Sequence, residues 1–133
     1  MSRPATRGLL DTSVLIGAHE GDGIALPVSA AISVVTLGEL RAGVQLAPSE
    51  PARDARRRRL EAVRVAFEPL PIDEAVAERY GDLLALARST GRAAKATDLL
   101  ILATAAASER VLYTLDVSQA RLGRAAGVAV EGA

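Results

Sequence analysis

Four acidic side chains stand where strands of a predicted sheet end or where a buried helix begins. Asp11 and Asp116 each follow a short apolar segment that is typical of a buried strand, and Glu39 lies shortly after a third such segment. Asp98 opens a helix that is apolar on every side. An uncompensated charge there costs on the order of several kcal/mol. Because the carboxyl ends of parallel strands share one edge, we expect the four carboxylates to converge in one crevice.

Converging carboxylates repel each other, and a hard divalent cation bound through oxygen relieves that repulsion. We expect Mg²⁺, with Mn²⁺ as a substitute. Such a cation suits phosphodiester hydrolysis, because it lowers the pKa of a bound water, orients the phosphate and stabilises the leaving oxygen. Asp11, Glu39, Asp98 and Asp116 are therefore candidate metal ligands and catalytic residues. Each also lies where an acidic side chain favours a helix N-terminus, so helix capping is the competing interpretation.

The elements that would hold these residues alternate between strand and helix. This alternation predicts an α/β fold in which a central parallel sheet is flanked by helices. The third strand contains two prolines, which indicates an edge position. The predicted strands lie at residues 8–10, 30–35, 66–72, 111–114 and 128–130, and the helices begin at 14 and then span 36–47, 52–65, 73–88, 97–105 and 118–125.

Two of the predicted helix starts bear directly on the acidic residues. Thr36 and Glu39 have the spacing of a capping box, which predicts Thr36 as the N-cap and Glu39 as the side chain that reaches back to it. Thr97 is expected to cap the helix that carries Asp98. That helix should be buried, since it has no polar face.

The length of 133 residues fits one compact domain, so we interpret residues 1–133 as a single domain. Sixteen basic and sixteen acidic residues cancel, and net charge therefore gives no argument for a nucleic-acid partner. The absence of cysteine excludes disulfides and thiolate metal sites. The start of the chain does not resemble a signal peptide and no apolar run is long enough to span a bilayer, so we expect a soluble, cytoplasmic protein.

Basic residues lie in two places where they could meet a phosphate. Arg92 and Lys95 precede Asp98, and they are candidate substrate-binding residues that would guide a phosphate towards the metal. The predicted helix at 52–65 carries a run of arginines, which forms either an electrostatic strip for phosphates or a solvated face with locally paired charges. His19, the only histidine, is assigned to a polar surface loop. The chain has only three aromatic residues, which argues against a stacking platform for bases.

Taken together, four segments of the chain resemble the PIN-domain proteins, and most of all the VapC-type toxins of bacterial toxin–antitoxin pairs. The segments occur in the order typical of that family and span nearly the whole chain. They are LLDTSVLI at residues 9–16, SVVTLGELRAG at 33–43, KATDLLILATA at 95–105 and LYTLD at 112–116.

This resemblance implies a Mg²⁺-dependent endoribonuclease that cleaves cellular RNA, is usually a homodimer and is held inactive by a small VapB-like antitoxin. It also implies that Asp11 and Asp98 are the principal metal ligands, with Glu39 and Asp116 completing the acidic pocket. Ser13 and Thr114 join the substrate-binding group, where they would support the pocket by hydrogen bonding.

The sequence departs from the family pattern at one place, and two classes of alternative function remain. Proteins of this kind often carry an acidic residue followed by phenylalanine shortly after the strand at 111–114, and here those two positions are Gln119 and Ala120. Asp116 is then the only acidic candidate in that segment. The same pocket could belong to a nuclease acting on DNA or structured nucleic acid. It could also belong to a non-catalytic binding module or a receiver-like domain.

Overall fold

The computed structural model describes residues 6–19 and 24–133, and in them five parallel strands form one sheet. The strands are β1 (Arg7–Leu10), β2 (Ser29–Ser33), β3 (Glu68–Leu70), β4 (Val111–Thr114) and β5 (Val130–Gly132). The helices are α1 (Thr12–His19), α2 (Val34–Gln45), α3 (Glu50–Ala66), α4 (Glu74–Ser89), α5 (Ala96–Ala107) and α6 (Val117–Ala125). The strand order is β3-β2-β1-β4-β5, so the predicted α/β fold with a central parallel sheet is confirmed.

Helices cover both faces of the sheet, and each face has its own apolar core. Leu9 and Leu112 are completely buried in the core that includes α4, α5 and α6. The next residue along β1, Leu10, faces the opposite core with Ile32 and Tyr113, which α1, α2 and α3 complete. Adjacent residues of one strand therefore serve different cores, as a sheet covered on both faces requires.

The central position of β1 brings the predicted acidic residues to one edge. Leu10 is in register with Tyr113 of β4, so both strands end at the same level. The backbone N–H of Asp11 continues this pairing, because it donates to the carbonyl of Tyr113 at 2.8 Å. The predicted burial of α5 is confirmed, since Ile101, Leu102 and most of their neighbours along the helix are inaccessible to solvent. The first turn of α5, which contains Asp98, lies at the same edge of the sheet as the ends of β1 and β4.

The predicted capping box at Thr36 and Glu39 is wrong. β2 ends at Ser33, and Ser33 is the N-cap of α2, with its hydroxyl accepting from the backbone N–H of Val35 at 3.1 Å. Thr36 is then a buried residue of the first turn, and Glu39 lies in the second turn, out of reach of the N-cap. The predicted cap of α5 at Thr97 is also wrong: Lys95 occupies that position, without a side-chain capping bond.

Other boundaries agree with the sequence more closely. β3 is an edge strand, as its prolines predicted. Asp73 caps α4 by accepting from the N–H of Val76. The last strand lies two residues later than expected, because α6 and its C-cap Ala126 are followed by the left-handed Gly127, with φ of 79°, and the chain needs residues 128–129 to return to the sheet.

The predicted loop around His19 lies largely outside the described residues. α1 extends to His19, whereas residues 1–5 and 20–23 are not among those that the structure describes. Within the described ranges, no helix is long and apolar enough to cross a membrane.

Candidate active site

Asp11 is the most buried of the four carboxylates, with only 5% of its surface exposed. Its Oδ2 accepts two hydrogen bonds, from Ser13 Oγ at 2.6 Å and from Thr114 Oγ1 at 2.9 Å. No side chain in the described part of the chain donates to Oδ1. One oxygen is therefore held in place, and the other keeps its full capacity to bind a cation.

Ser13 and Thr114 join the ends of β1 and β4 around that carboxylate. The hydroxyl of Ser13 accepts from the N–H of Leu115 and that of Thr114 accepts from the N–H of Asp116, both at 3.0 Å. Each hydroxyl has one hydrogen, and each directs it to Asp11. Because Thr114 is completely buried, its hydroxyl positions Asp11 and cannot touch a substrate. The hydrogen-bonding support implied by the resemblance is present, whereas direct substrate binding by Thr114 is not possible in this arrangement.

Glu39 reaches the site from α2, and its side chain is half-buried. Its Oε1 accepts from Thr12 Oγ1 at 2.7 Å, and Thr12 Oγ1 is also 3.1 Å from Thr36 Oγ1. Thr12 is the first residue of α1 and follows Asp11 directly. This bond therefore ties Glu39 to the same turn that places Asp11.

Asp98 lies in the first turn of α5, where it interacts electrostatically with the other three carboxylates. Burial raises the pKa of its carboxyl above the ordinary value of 3.8, and the charges of Asp11, Asp116 and Glu39 raise it further. The cation of Lys95 opposes these effects. The other three acidic residues predicted from the sequence therefore lie near enough to Asp98 for their charges to act on its carboxyl.

Asp116 is exposed and has a capping role as well. It is the N-cap of α6, and its Oδ1 accepts from the N–H of Gln119 at 3.1 Å. Helix capping, the competing interpretation, is thus correct for Asp116. It does not exclude a ligand role, because none of the described residues donates a hydrogen bond to Oδ2.

Gln119 was noted in the sequence only as a departure from the family pattern, and its structural role was missed. It is 3% exposed, and its Nε2 donates to the backbone carbonyl of Asp98 at 2.8 Å. One residue therefore connects the first turn of α5, with Asp98, to the first turn of α6, with Asp116. Asp116 and Gln119 do have the spacing of a capping box, which signals their shared helix start but not the second helix that Gln119 binds.

An open cleft of about 580 Å³ borders Asp98 and Asp116. Arg92 and Lys95, both predicted from the sequence to bind substrate, line it. Arg121, on α6, lines the same cleft and was not singled out by the sequence analysis. Asp98 and Asp116 thus border a recess that is also lined by three cationic side chains, a combination that suits a phosphate-bearing ligand.

The donor set matches a hard cation in its chemistry. All four side chains offer carboxylate oxygen, and burial together with the charges of the other three already raises the pKa of Asp98. Among residues 6–19 and 24–133, no three acidic or histidine side chains are close enough to enclose a metal by themselves. Mg²⁺ does not require that, because it usually binds one or two carboxylates and keeps several waters. The site fits Mg²⁺ or Mn²⁺ better than a metal that demands a closed protein cage.

A profile of the PIN domain matches residues 8–125. The chain belongs to the PIN-domain family. It is 37% identical over 133 residues to Ribonuclease VapC5 of Mycobacterium tuberculosis, with 98% of each protein covered. It is 44% identical over 101 residues to Ribonuclease VapC8 of the same species, with 74% of this chain and 89% of that relative covered.

The solved structures agree with this assignment. The crystal structure of VapBC-5, a member of the VapBC family of toxin-antitoxin systems from M. tuberculosis, matches with a TM-score of 0.82 and 35% identity. The match covers 98% of this chain and 100% of that chain. The predicted family is therefore confirmed, and a receiver-like domain is excluded. The PIN-domain match includes all four carboxylates of the site.

Proposed function

We propose that this PIN-domain protein is a Mg²⁺-dependent endoribonuclease and the toxin of a toxin–antitoxin pair. The observation that carries the proposal is the convergence of Asp11, Glu39 and Asp116 on Asp98, whose carboxyl pKa is raised first by burial and then by these three charges. The relatives named ribonuclease, at 37% and 44% identity, support RNA as the substrate class. RNA is therefore the polymer that we assign to the cleft.

Asp11 and Asp98 would be the principal ligands of the cation, and Glu39 and Asp116 would complete its surroundings. When bound, the cation would supply a water of lowered pKa and a positive charge beside the phosphate. The buried position of Asp11 suits this role, because its two hydroxyl donors hold the carboxylate rigidly before any ligand arrives.

The basic rim of the cleft has a separate task. Arg92, Lys95 and Arg121 would bind phosphates of the RNA and offset the repulsion between its backbone and the carboxylates. Lys95 is well placed for this, since it precedes α5 directly and its charge already acts on Asp98. The chain thus separates binding of the substrate by cations from catalysis by acidic residues.

Cleavage of RNA by the purified protein should stop in EDTA and return when Mg²⁺ or Mn²⁺ is added, because these carboxylates cannot generate a nucleophile alone. The measurement is the rate of cleavage of total cellular RNA and of single-stranded DNA, with an Asp11→Asn protein purified in parallel as the control for contaminating nuclease. If the wild type cleaves RNA at an undiminished rate in EDTA and the Asp11→Asn control does not cleave it, the metal-dependent mechanism is wrong. If the protein cleaves the DNA and does not cleave the RNA, it is the alternative nuclease that acts on DNA.

We assign a VapB-like antitoxin as the partner, and a homodimer as the assembly of the free toxin. Expression of the chain alone should arrest growth, and co-expression of the small reading frame beside its gene should restore it. The measurement is colony formation with the wild type and with Asp11→Asn, both at equal protein level. A folded, active ribonuclease that leaves growth unchanged is evidence against the toxin role, but not against the enzyme.

A further inference from the structure

A second recess borders the carboxylate of Glu39. Its volume is about 390 Å³, and it is enclosed by α1, α2 and α3, with Glu39, Arg56 and Arg59 in its lining. The larger cleft borders Asp98 and Asp116 instead. The acidic residues therefore border two recesses, and each recess has arginine in its wall.

Five of the six arginines of α3 divide into two groups. Arg57 and Arg58 are exposed and pair with Asp54, and Arg53 pairs with Glu50. Arg56 and Arg59 are half-buried and line the recess beside Glu39. The predicted paired, solvated face is therefore present at Arg57 and Arg58, and the inward arginines remain the candidates for a phosphate.

Only one of the two inward arginines is available for a ligand. Arg56 donates from Nη1 to the carbonyl of Gly43 at 2.8 Å, which attaches α3 to α2. Arg59 makes no hydrogen bond or ion pair with any residue that the structure describes, and its Nε is buried without a partner. The Nη groups of Arg59 also lack a partner among the described residues and are not fully buried, so an anion that enters the recess can accept their N–H groups without displacing another bond.

We propose that Arg59 binds a phosphate of the RNA strand in the recess beside Glu39, separately from the cations that line the larger cleft. The proposal rests on the proposed function and extends it, because it gives the strand a path across the carboxylates from one recess to the other. The planar guanidinium suits a phosphate, which can accept two of its N–H groups at once. Arg59 is therefore a substrate-binding residue on α3.

The test compares Arg59→Met with Arg57→Met. Both changes remove one positive charge from α3 and retain most of the aliphatic stem, so a loss of general attraction affects both proteins equally. Arg57 is exposed and paired with Asp54, which makes it the matched control. Binding of a fluorescently labelled single-stranded oligoribonucleotide is measured in EDTA at several salt concentrations, and cleavage is measured with Mg²⁺. Melting temperatures confirm that both variants are folded.

We expect Arg59→Met to weaken RNA binding and raise KM on the order of tenfold, with kcat nearly unchanged, because a charge-assisted contact present before and during the reaction is lost. The slope of log binding constant against log salt should become shallower by about 0.7, the value for one phosphate of a single strand. Arg57→Met should change neither quantity appreciably. If the wild type cleaves RNA and both substitutions have equally small effects on RNA binding and KM, the phosphate subsite is wrong, whereas the proposed function is not affected.

Two other outcomes also decide against the proposal. If Arg59→Met tightens Mg²⁺ binding and leaves RNA binding unchanged, Arg59 serves to neutralise Glu39 across the recess. If it weakens only the complex with the co-expressed antitoxin, the recess holds a protein partner. A wild-type protein that neither binds nor cleaves RNA overturns the proposed function itself, and the subsite with it.

Discussion

Asp98→Asn is expected to reduce RNA cleavage on the order of a hundredfold or more and, in the metal-free protein, to raise the melting temperature by a few degrees. The two effects have one cause. The charge that the proposed cation requires is the same charge that destabilises the fold when no cation is bound.

The physical reason lies in the surroundings of Asp98. Burial and the charges of Asp11, Asp116 and Glu39 all disfavour its ionised form, and Lys95 offsets them only in part. Asparagine has nearly the same shape without the charge, and the bond from Gln119 reaches the backbone carbonyl, which the substitution leaves in place. The helix start should therefore persist while the repulsion disappears. The amide is also a poorer ligand for a hard cation than the carboxylate.

The pH dependence of the stabilisation has a defined sign. Since the folded pKa of Asp98 lies above its ordinary value of 3.8, the folded state binds the proton more tightly than the unfolded state does. Stability from this group is greatest at low pH and is lost as pH rises through the folded pKa. The melting temperature of Asp98→Asn should therefore exceed that of the wild type at neutral pH, and the difference should shrink as the pH falls below the folded pKa.

Thermal unfolding in EDTA and in Mg²⁺, with cleavage rates alongside, checks this prediction. Mg²⁺ should raise the melting temperature of the wild type, since a ligand that binds only the folded state stabilises it, and should affect Asp98→Asn much less. Asp82→Asn is the control, because Asp82 is an exposed carboxylate of α4 that lines a different cavity. A metal-free Asp98→Asn protein that melts below the wild type contradicts the electrostatic account of the cluster.

The sequence was sufficient for those features that depend on apolar pattern and strand order. Asp11 and Asp116 follow apolar segments, and parallel strands place their carboxyl ends together, so the convergence of these residues could be anticipated. The uniformly apolar α5 could be assigned to the interior in the same way. Such patterns are dominated by burial, which is the largest favourable contribution to folding.

Helix starts were less predictable, because several residues near each start can act as a cap. Ser33 and Thr36 are both good N-caps, and the choice depends on where β2 leaves the sheet. Ser33 is the last residue of β2 in register with β3, opposite Leu70, and the chain turns into α2 directly after it. That register involves a strand more than thirty residues later in the chain, which the local spacing of Thr36 and Glu39 does not contain.

The hydrogen bonds that orient the carboxylates could not be predicted from the sequence either. Thr114 and Asp11 are 103 residues apart in the chain, and Gln119 reaches Asp98 across 21 residues. Both pairings follow from the packing of whole elements. The substitution of glutamine for the acidic residue common in the family is visible in the sequence, but its bond to the first turn of α5 becomes apparent only once α5 and α6 are packed together.

Glu39→Gln is expected to lower the cleavage rate on the order of tenfold or more while leaving the melting temperature of the metal-free protein unchanged or slightly higher. Glu39 is not part of a capping box, so the substitution does not touch the start of α2, which Ser33 caps. The amide oxygen of glutamine can accept the hydrogen of Thr12 that Glu39 Oε1 accepts at 2.7 Å. Position and bonding are thus retained, and the negative charge alone is removed.

This makes Glu39→Gln a test of charge, whereas Glu39→Ala also removes the bond from Thr12 and some packing. Cleavage rates, Mg²⁺ affinity and metal-free melting temperatures of the two variants should be measured beside Glu61→Gln, an exposed carboxylate of α3. Loss of rate and Mg²⁺ affinity in both Glu39 variants, with stability lost only in Glu39→Ala, is the expected pattern. If Glu39→Gln instead cleaves RNA like the wild type, the charge at this position serves no step of the reaction, and the acidic machinery consists of Asp11, Asp98 and Asp116.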